Sequence, residues 1–348
     1  MKKFLCLITM LSLVAALLIG CAGTPVIYYS DCTCPTGSHA NTPEYIPTEG
    51  ALKTGLAIVT SVGKSENAKV ADYDVTVVAV TVDDNGVIQD CIIDSVGATV
   101  EFDATGTITS NLSAEILTKN EKGDSYGMKA YGNAKYEWYE QAAALANYAK
   151  GKTVAELKKG AVNEAGKAAD ADLASTATIY LGGYVAAIEK AVANAKHLGA
   201  QAGDVLKLAV INGIGSSASA TAEKAGTAQL DCDVVALTQK NDMITSCAID
   251  SVQAKVSFNA KGEISTDLNA AVLTKNELGE NYNMKKYGNA KYEWNEQAAS
   301  FAAYVTGKTP AQVAGIAVTE GKPSDADLSA TVTIAIGGFQ ALIAKATK

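Results

Sequence analysis

Hydrophobic and polar positions along this chain follow first a two-residue and then a helical period, and the whole progression occurs twice. Residues 73–82 read YDVTVVAVTV, β-branched at most positions, and predict a strand. Apolar runs at 56–62, 87–94 and 98–102 predict its neighbours, with a tight turn at Asp83-Asp84-Asn85-Gly86 and another from Asp103 to Gly106. The period then lengthens. Trp138, Ala142, Leu145 and Ala149 recur at helical spacing, in a helix that Gly132 or Asn133 opens and Gly151 ends as a left-handed C′ residue. Thr153 with Glu156 three residues on reads as a capping box starting a second, short helix. Residues 172–180 alternate as a strand does, and a last helix is expected over 184–196 after Gly182-Gly183.

The second passage repeats the first closely. Residues 126–153 (YGMKAYGNAKYEWYEQAAALANYAKGKT) and 282–309 (YNMKKYGNAKYEWNEQAASFAAYVTGKT) are identical at 20 of 28 positions, at a spacing of 156 residues. Trp294, Ala298, Phe301 and Val305 repeat the helical stripe, Gly307 its end, and Thr309-Pro310 with Gln312 the capping box. Strands are expected at 208–214, 231–238, 244–250 and 254–258, with a turn at 259–262. The stripe of large residues on each helix reads as core packing. Each copy is too long for a solenoid unit and holds enough elements for its own core. The expected fold is therefore α+β: two tandem domains, 51–199 and 200–348, each an antiparallel meander with helices packed on one face.

Composition narrows the function. The chain carries 29 basic and 37 acidic residues, and every basic residue is lysine. An acidic chain lacking the residue best suited to bidentate phosphate contacts is a poor nucleic-acid binder. His197 lies between the repeats and the second repeat has no histidine, so no histidine-dependent triad or zinc site can occur in both copies. That argues against an enzyme. Cys91 and Cys247 are aligned between the repeats, which favours buried strand positions. Cys232 and Cys247 can form a disulfide across a hairpin or stay as small buried thiols. Cys32-Thr33-Cys34 is a weak metal signal and His39 reads as solvent-exposed. Gly213-Ile214-Gly215 completes no phosphate-binding fingerprint and reads as a strand end. Glu137 with Glu140, and Glu293 with Glu296, stand three apart and read as a solvated helix face beside Lys135 and Lys291.

The start of the chain, Met1-Lys2-Lys3, an apolar run at 4–20 and then Cys21, resembles a bacterial lipoprotein signal with its lipobox. The resemblance implies a cleaved signal peptide at 1–20, lipidation of Cys21, and an extracytoplasmic protein held at the cell membrane by its lipid. Loss of Lys2 and Lys3 takes the net charge from −8 to about −10. Residues 21–50, rich in Thr, Pro, Gly and Ser, read as a flexible tether.

A second resemblance lies near the end of each repeat. Asp172-Leu173-Ala174-Ser175-Thr176-Ala177-Thr178, then an apolar stretch, Gly-Gly and an Ala-rich helix, is similar to the D-x-x-S-G-A-T signature of the FMN-binding domain family. The preceding strands, turn and E-W-x-E-Q-A helix are similar too, so the likeness spans nearly all of each repeat. In that family the last threonine accepts FMN through a phosphoester installed by a flavin transferase. The resemblance implies Thr178 as acceptor, with Ser175 in the motif and Asp172 heading it; in the second copy it points to Thr333 and Asp327. It also implies membrane redox proteins as partners. Thr176 and Thr331 stand where the family has glycine, whose freedom a β-branched residue lacks at positive φ. The second copy departs further, with Ala330 for the serine and Val332 for the alanine, which weakens Thr333 as an acceptor. The expectation is a non-enzymatic binding module, flavin-carrying and serving electron transfer; the alternative is a flavin-free structural or interaction protein on the same scaffold.

Overall fold

The β-branched run at 73–82 is apolar on alternate and intervening positions alike because both of its faces are covered. Val75, Val77 and Ala79 point into one core, Val78, Val80 and Val82 into another. This is seen in a computed structural model that describes residues 50–348. The signal peptide, Cys21, Cys32, Cys34, His39 and the tether before residue 50 lie outside the described residues. The fold is α+β, with antiparallel sheets and helices.

Three strands open the first repeat: β1 (Ala51–Ser61), β2 (Val70–Val82) and β3 (Ile88–Glu101). Six helices follow: α1 (Lys119–Lys122), α2 (Met128–Gly132), α3 (Trp138–Ala149), α4 (Val154–Ala161), α5 (Ala171–Thr176) and α6 (Gly182–Ala193). Strand β4 (Lys196–Gln201) then returns to β1 and completes a sheet of order β3-β2-β1-β4. The second sheet is β5 (Val205–Gly213), β6 (Gly226–Lys240) and β7 (Met243–Phe258), in that order. Helices α7 (Lys275–Leu278), α8 (Met284–Gly288), α9 (Trp294–Val305) and α10 (Pro310–Ala314) follow it. A short ribbon, β8 (Val318–Thr319) with β9 (Lys322–Pro323), leads to α11 (Ala326–Ser329) and α12 (Gly337–Ala346).

Several local expectations hold. Thr153 accepts from the Glu156 amide while the Glu156 carboxylate accepts from the Thr153 amide at 2.8 Å, starting α4. Thr309 and Gln312 do the same for α10. Gly151 and Gly307 have φ of +75° and +82° just after α3 and α9.

Others are corrected. The runs at 87–94 and 98–102 are one strand, because Ser95, Val96 and Gly97 stay paired with Thr76, Val75 and Asp74 of β2. The principal helix begins at Trp138, not at 132–133: Asn133, at φ 50°, ends α2, and Glu137 sits at the N-cap of α3. The segment 172–180, expected to be extended, opens with α5, because the Asp170 carboxylate accepts from the Leu173 amide at 3.0 Å and caps a helical turn. The expected last helix over 184–196 is α6, and Lys196 belongs to a strand.

Each repeat closes a core of its own on the face carrying α3 and α6, or α9 and α12. The opposite faces of the two sheets close on each other and share a third core. Residue 199, the expected boundary, lies within β4 and marks no linker. An approximate twofold relates the halves. Phe102 stacks on its counterpart Phe258 with centroids 4.0 Å apart. The Ala68 amide donates to the Gly262 carbonyl at 2.7 Å, and the Ala220 amide to that of Gly106 at 2.8 Å. Gly106 and Gly262 have φ of +67° and +70°, and a Cβ on either would stand within 2.7 Å of a carbonyl of the other repeat. Lys190 pairs with Glu277 at 2.8 Å, and Lys345 with Glu121. Cys91, Cys232 and Cys247 are buried free thiols, and burial pushes the Cys91 and Cys247 thiols up to about 12. Among the described residues no helix is long and apolar enough to cross a membrane, and no three or more His, Cys, Asp or Glu side chains are grouped so as to hold a metal ion.

Candidate functional site: an aromatic cleft in the first repeat

Trp138 is placed by the cap before it. The buried Glu137 carboxylate, 1% exposed, accepts from the amides of Met128 at 2.8 Å and Lys129 at 2.9 Å, which joins the start of α2 to that of α3. Glu293 does the same for Met284 and Lys285, so only Glu140 and Glu296 lie on the solvated face expected for all four. The Trp138 indole then donates to the Tyr184 hydroxyl of α6 at 3.0 Å, with the rings edge to face. Lys119 begins α1, whose amides are held by Thr118 and by the buried Asp94, which accepts from Asn120 at 3.1 Å. From there its ammonium lies 5.4 Å from the Tyr126 ring and 5.2 Å from that of Trp138. Lys64 pairs with Asp74 at the same opening, and the Asp74 carboxylate holds the lysine above its ordinary pKa. Tyr180 forms an exposed wall, lying so close over Gly166 and Gly182 that a Cβ on either would meet its ring. These groups enclose a cleft of about 430 Å³, within the range of small-molecule sites.

The residues expected from the motif lie at its margin. Asp172 and Ser175 are exposed on α5, and Ser175 donates to the Asp172 carbonyl at 2.7 Å. Thr178 is exposed, directly before the cleft residues Ile179 and Tyr180. Its amide and hydroxyl donate to the buried Gln141 Oε1 at 2.8 and 3.2 Å, and the Lys167 ammonium donates to its carbonyl at 2.8 Å. Thr333 is held by Gln297 in the same way, and Asp327 is exposed on α11. Thr176 and Thr331 do not have positive φ, so neither position requires glycine. Gln141, Lys119 and Tyr184 were not singled out from the sequence. Gln141 and Lys119 recur as Gln297 and Lys275, and that recurrence was the available signal.

The second repeat presents different chemistry at the equivalent positions. Ser216 replaces Lys64, Asp233 replaces Thr76, Ala335 replaces Tyr180 and Phe339 replaces Tyr184. Asp231 accepts from Ser216 at 2.6 Å, Gln229 at 2.7 Å and Gln253 at 3.0 Å, and Tyr282 donates to Gln253 at 3.0 Å. Behind it, burial pushes Asp250 up to about 6 although Ser251 and Asn276 donate to it. Between the ordinary carboxylate value and about 6 the folded chain keeps a proton that the unfolded chain releases, so stability falls as pH rises through that window. A shift of this size costs about 3 kcal/mol at neutral pH. Asp250→Asn retains the accepting oxygen and is expected to remove that slope. Urea unfolding from about pH 4 to about pH 7 should show the wild type losing about 2 kcal/mol relative to the variant. Parallel profiles would refute it.

No family model matches the chain, and no solved structure matches it. A stretch of 41 residues is 54% identical to part of a chlorophenol reductase from Desulfitobacterium hafniense, covering 12% of this chain and 12% of that protein. The chain thus spans far less than two thirds of the length of the curated relative it matches.

Proposed function

We propose that the protein is a membrane-anchored surface lipoprotein acting as a non-enzymatic binding module, with the cleft of the first repeat as its ligand seat and flavin as its ligand. The observation that carries this reading is the convergence of Tyr126, Trp138, Tyr180 and Tyr184 beside an exposed threonine, Thr178. The residues fit FMN on three counts. Thr178 is an exposed residue, Thr176 two positions before it has no positive φ that would demand glycine, and Lys167 stands at the Thr178 backbone where a phosphate's charge would be offset. Bound FMN would supply one- and two-electron transfer to membrane redox partners. The chain's own part is to hold the ring between aromatic walls, keep water from one side and fix the threonine through Gln141.

The test is colour. The chain co-expressed with a flavin transferase should be yellow and stay yellow after denaturation, and Thr178→Val should be colourless. Wild-type protein that is colourless under those conditions removes the covalent reading. A flavin-free interaction protein is the second reading, favoured by Tyr131 and Tyr287, 91% and 77% exposed at equivalent places. It predicts a colourless chain that keeps its fold.

A further inference from the structure

The two copies of the cleft differ in charge, and the difference points to what the first one accepts. Lys119 has no carboxylate within ion-pair distance among the described residues; the one acid lining the cleft, Asp74, is taken by Lys64. The cleft therefore holds one uncompensated positive charge, fixed above the faces of two rings. That placement is specific in a chain whose net charge is −8. In the second repeat Lys275 keeps the same station, 5.4 Å from Tyr282 and 4.8 Å from Trp294. There it faces Asp233, where the first repeat has Thr76, as well as Asp231, and Ser216 supplies no second cation; the buried Asp250 behind it has its equal in Asp94 and makes no difference. The same positions thus carry a net negative charge, their polar groups are bonded to one another, and the aromatic wall is reduced to Ala335.

We infer that the first repeat selects a planar aromatic anion, that Lys119 makes the selection, and that each chain takes one such ligand because the second repeat has lost the site. The ring of the ligand lies against Tyr126 and Tyr180, the exposed rings of the cleft, with the buried Trp138 at its floor, while its carboxylate, phenolate or phosphate meets the Lys119 ammonium. The inference rests on the cleft being the ligand seat, but it requires neither flavin nor the Thr178 bond.

The chain has two tryptophans, Trp138 in the cleft and Trp294 at the counterpart position, which makes the test direct. With Trp294→Phe, Trp138 is the sole reporter. Titration with 2-naphthoate should quench it saturably, at least about tenfold more tightly than with the uncharged 2-naphthamide, as one charge-assisted hydrogen bond provides. Lys119→Gln should abolish that preference and Lys275→Gln should leave it intact. Calorimetric titration of the unsubstituted chain should give one naphthoate per chain, which keeps the test valid if a tryptophan variant misfolds. Equal affinity for acid and amide, two equivalent sites per chain, or no binding would each overturn the inference. Thr178→Val should still prefer naphthoate. A colourless chain that selects the anion ends the flavin reading alone; a yellow chain whose flavin-free form shows no preference ends this one alone.

Discussion

Phe258→Ala destabilises both repeats together, by about 3–5 kcal/mol, the usual cost of emptying a buried phenylalanine site. Phe258 and Phe102 are almost fully buried where the two sheets meet, and their rings lie parallel within 2°. Isolated aromatic pairs favour offset or edge-on geometry. The approximate twofold, which brings equivalent residues together, accounts for the pairing. Removing one ring leaves the other without its partner and opens a void between sheets that cannot close without moving both. The consequence is cooperativity. Trp138 reports on the first repeat and Trp294 on the second, so single-tryptophan variants followed through urea should unfold at one shared midpoint. Phe258→Ala should move both midpoints equally. A Trp138 transition unaffected by the change would mean that the halves fold independently and that the shared core contributes little.

That independence is what the sequence suggested, and the reason it misled is physical. Local pattern marks a residue as buried but does not name what buries it. The run at 73–82 carries the signature of a strand covered on both faces, and helices account for one of them. The other is covered by a segment more than a hundred residues away, and no local period records that pairing. Features fixed within one turn of chain were legible: the capping boxes at Thr153 and Thr309, and the left-handed glycines 151 and 307. The segment at 172–180 alternates as a strand does, yet the cap at Asp170 decides its start. The cleft was harder still. Trp138 reads as an ordinary stripe residue, and nothing local distinguishes a buried Glu137 from its solvated neighbour Glu140. Recurrence of Lys119 as Lys275 marks the position, but the charge difference depends on residues from β2, β6 and the loop before β2.

Gln141 ties these elements together, which gives its replacement two separable effects. Its oxygen accepts from the Thr178 amide and hydroxyl and from the Ile179 amide at 3.1 Å, while its nitrogen donates to the Tyr136 carbonyl at 2.9 Å. Leucine of similar size would keep the packing and leave those partly buried groups without their partner, at a cost of about 1–3 kcal/mol. Gln297 makes the equivalent bonds to Thr333 and Tyr292, so Gln297→Leu should cost a similar amount. The variants should part in function. Ile179 and Tyr180 line the cleft of the first repeat, so Gln141→Leu frees one wall together with the threonine beside it. Naphthoate affinity and covalent flavin yield should both fall in Gln141→Leu, and both should be kept in Gln297→Leu under conditions where each is fully folded. Equal loss in the two would show that Gln141 serves stability alone and that the wall it secures does not take part in binding.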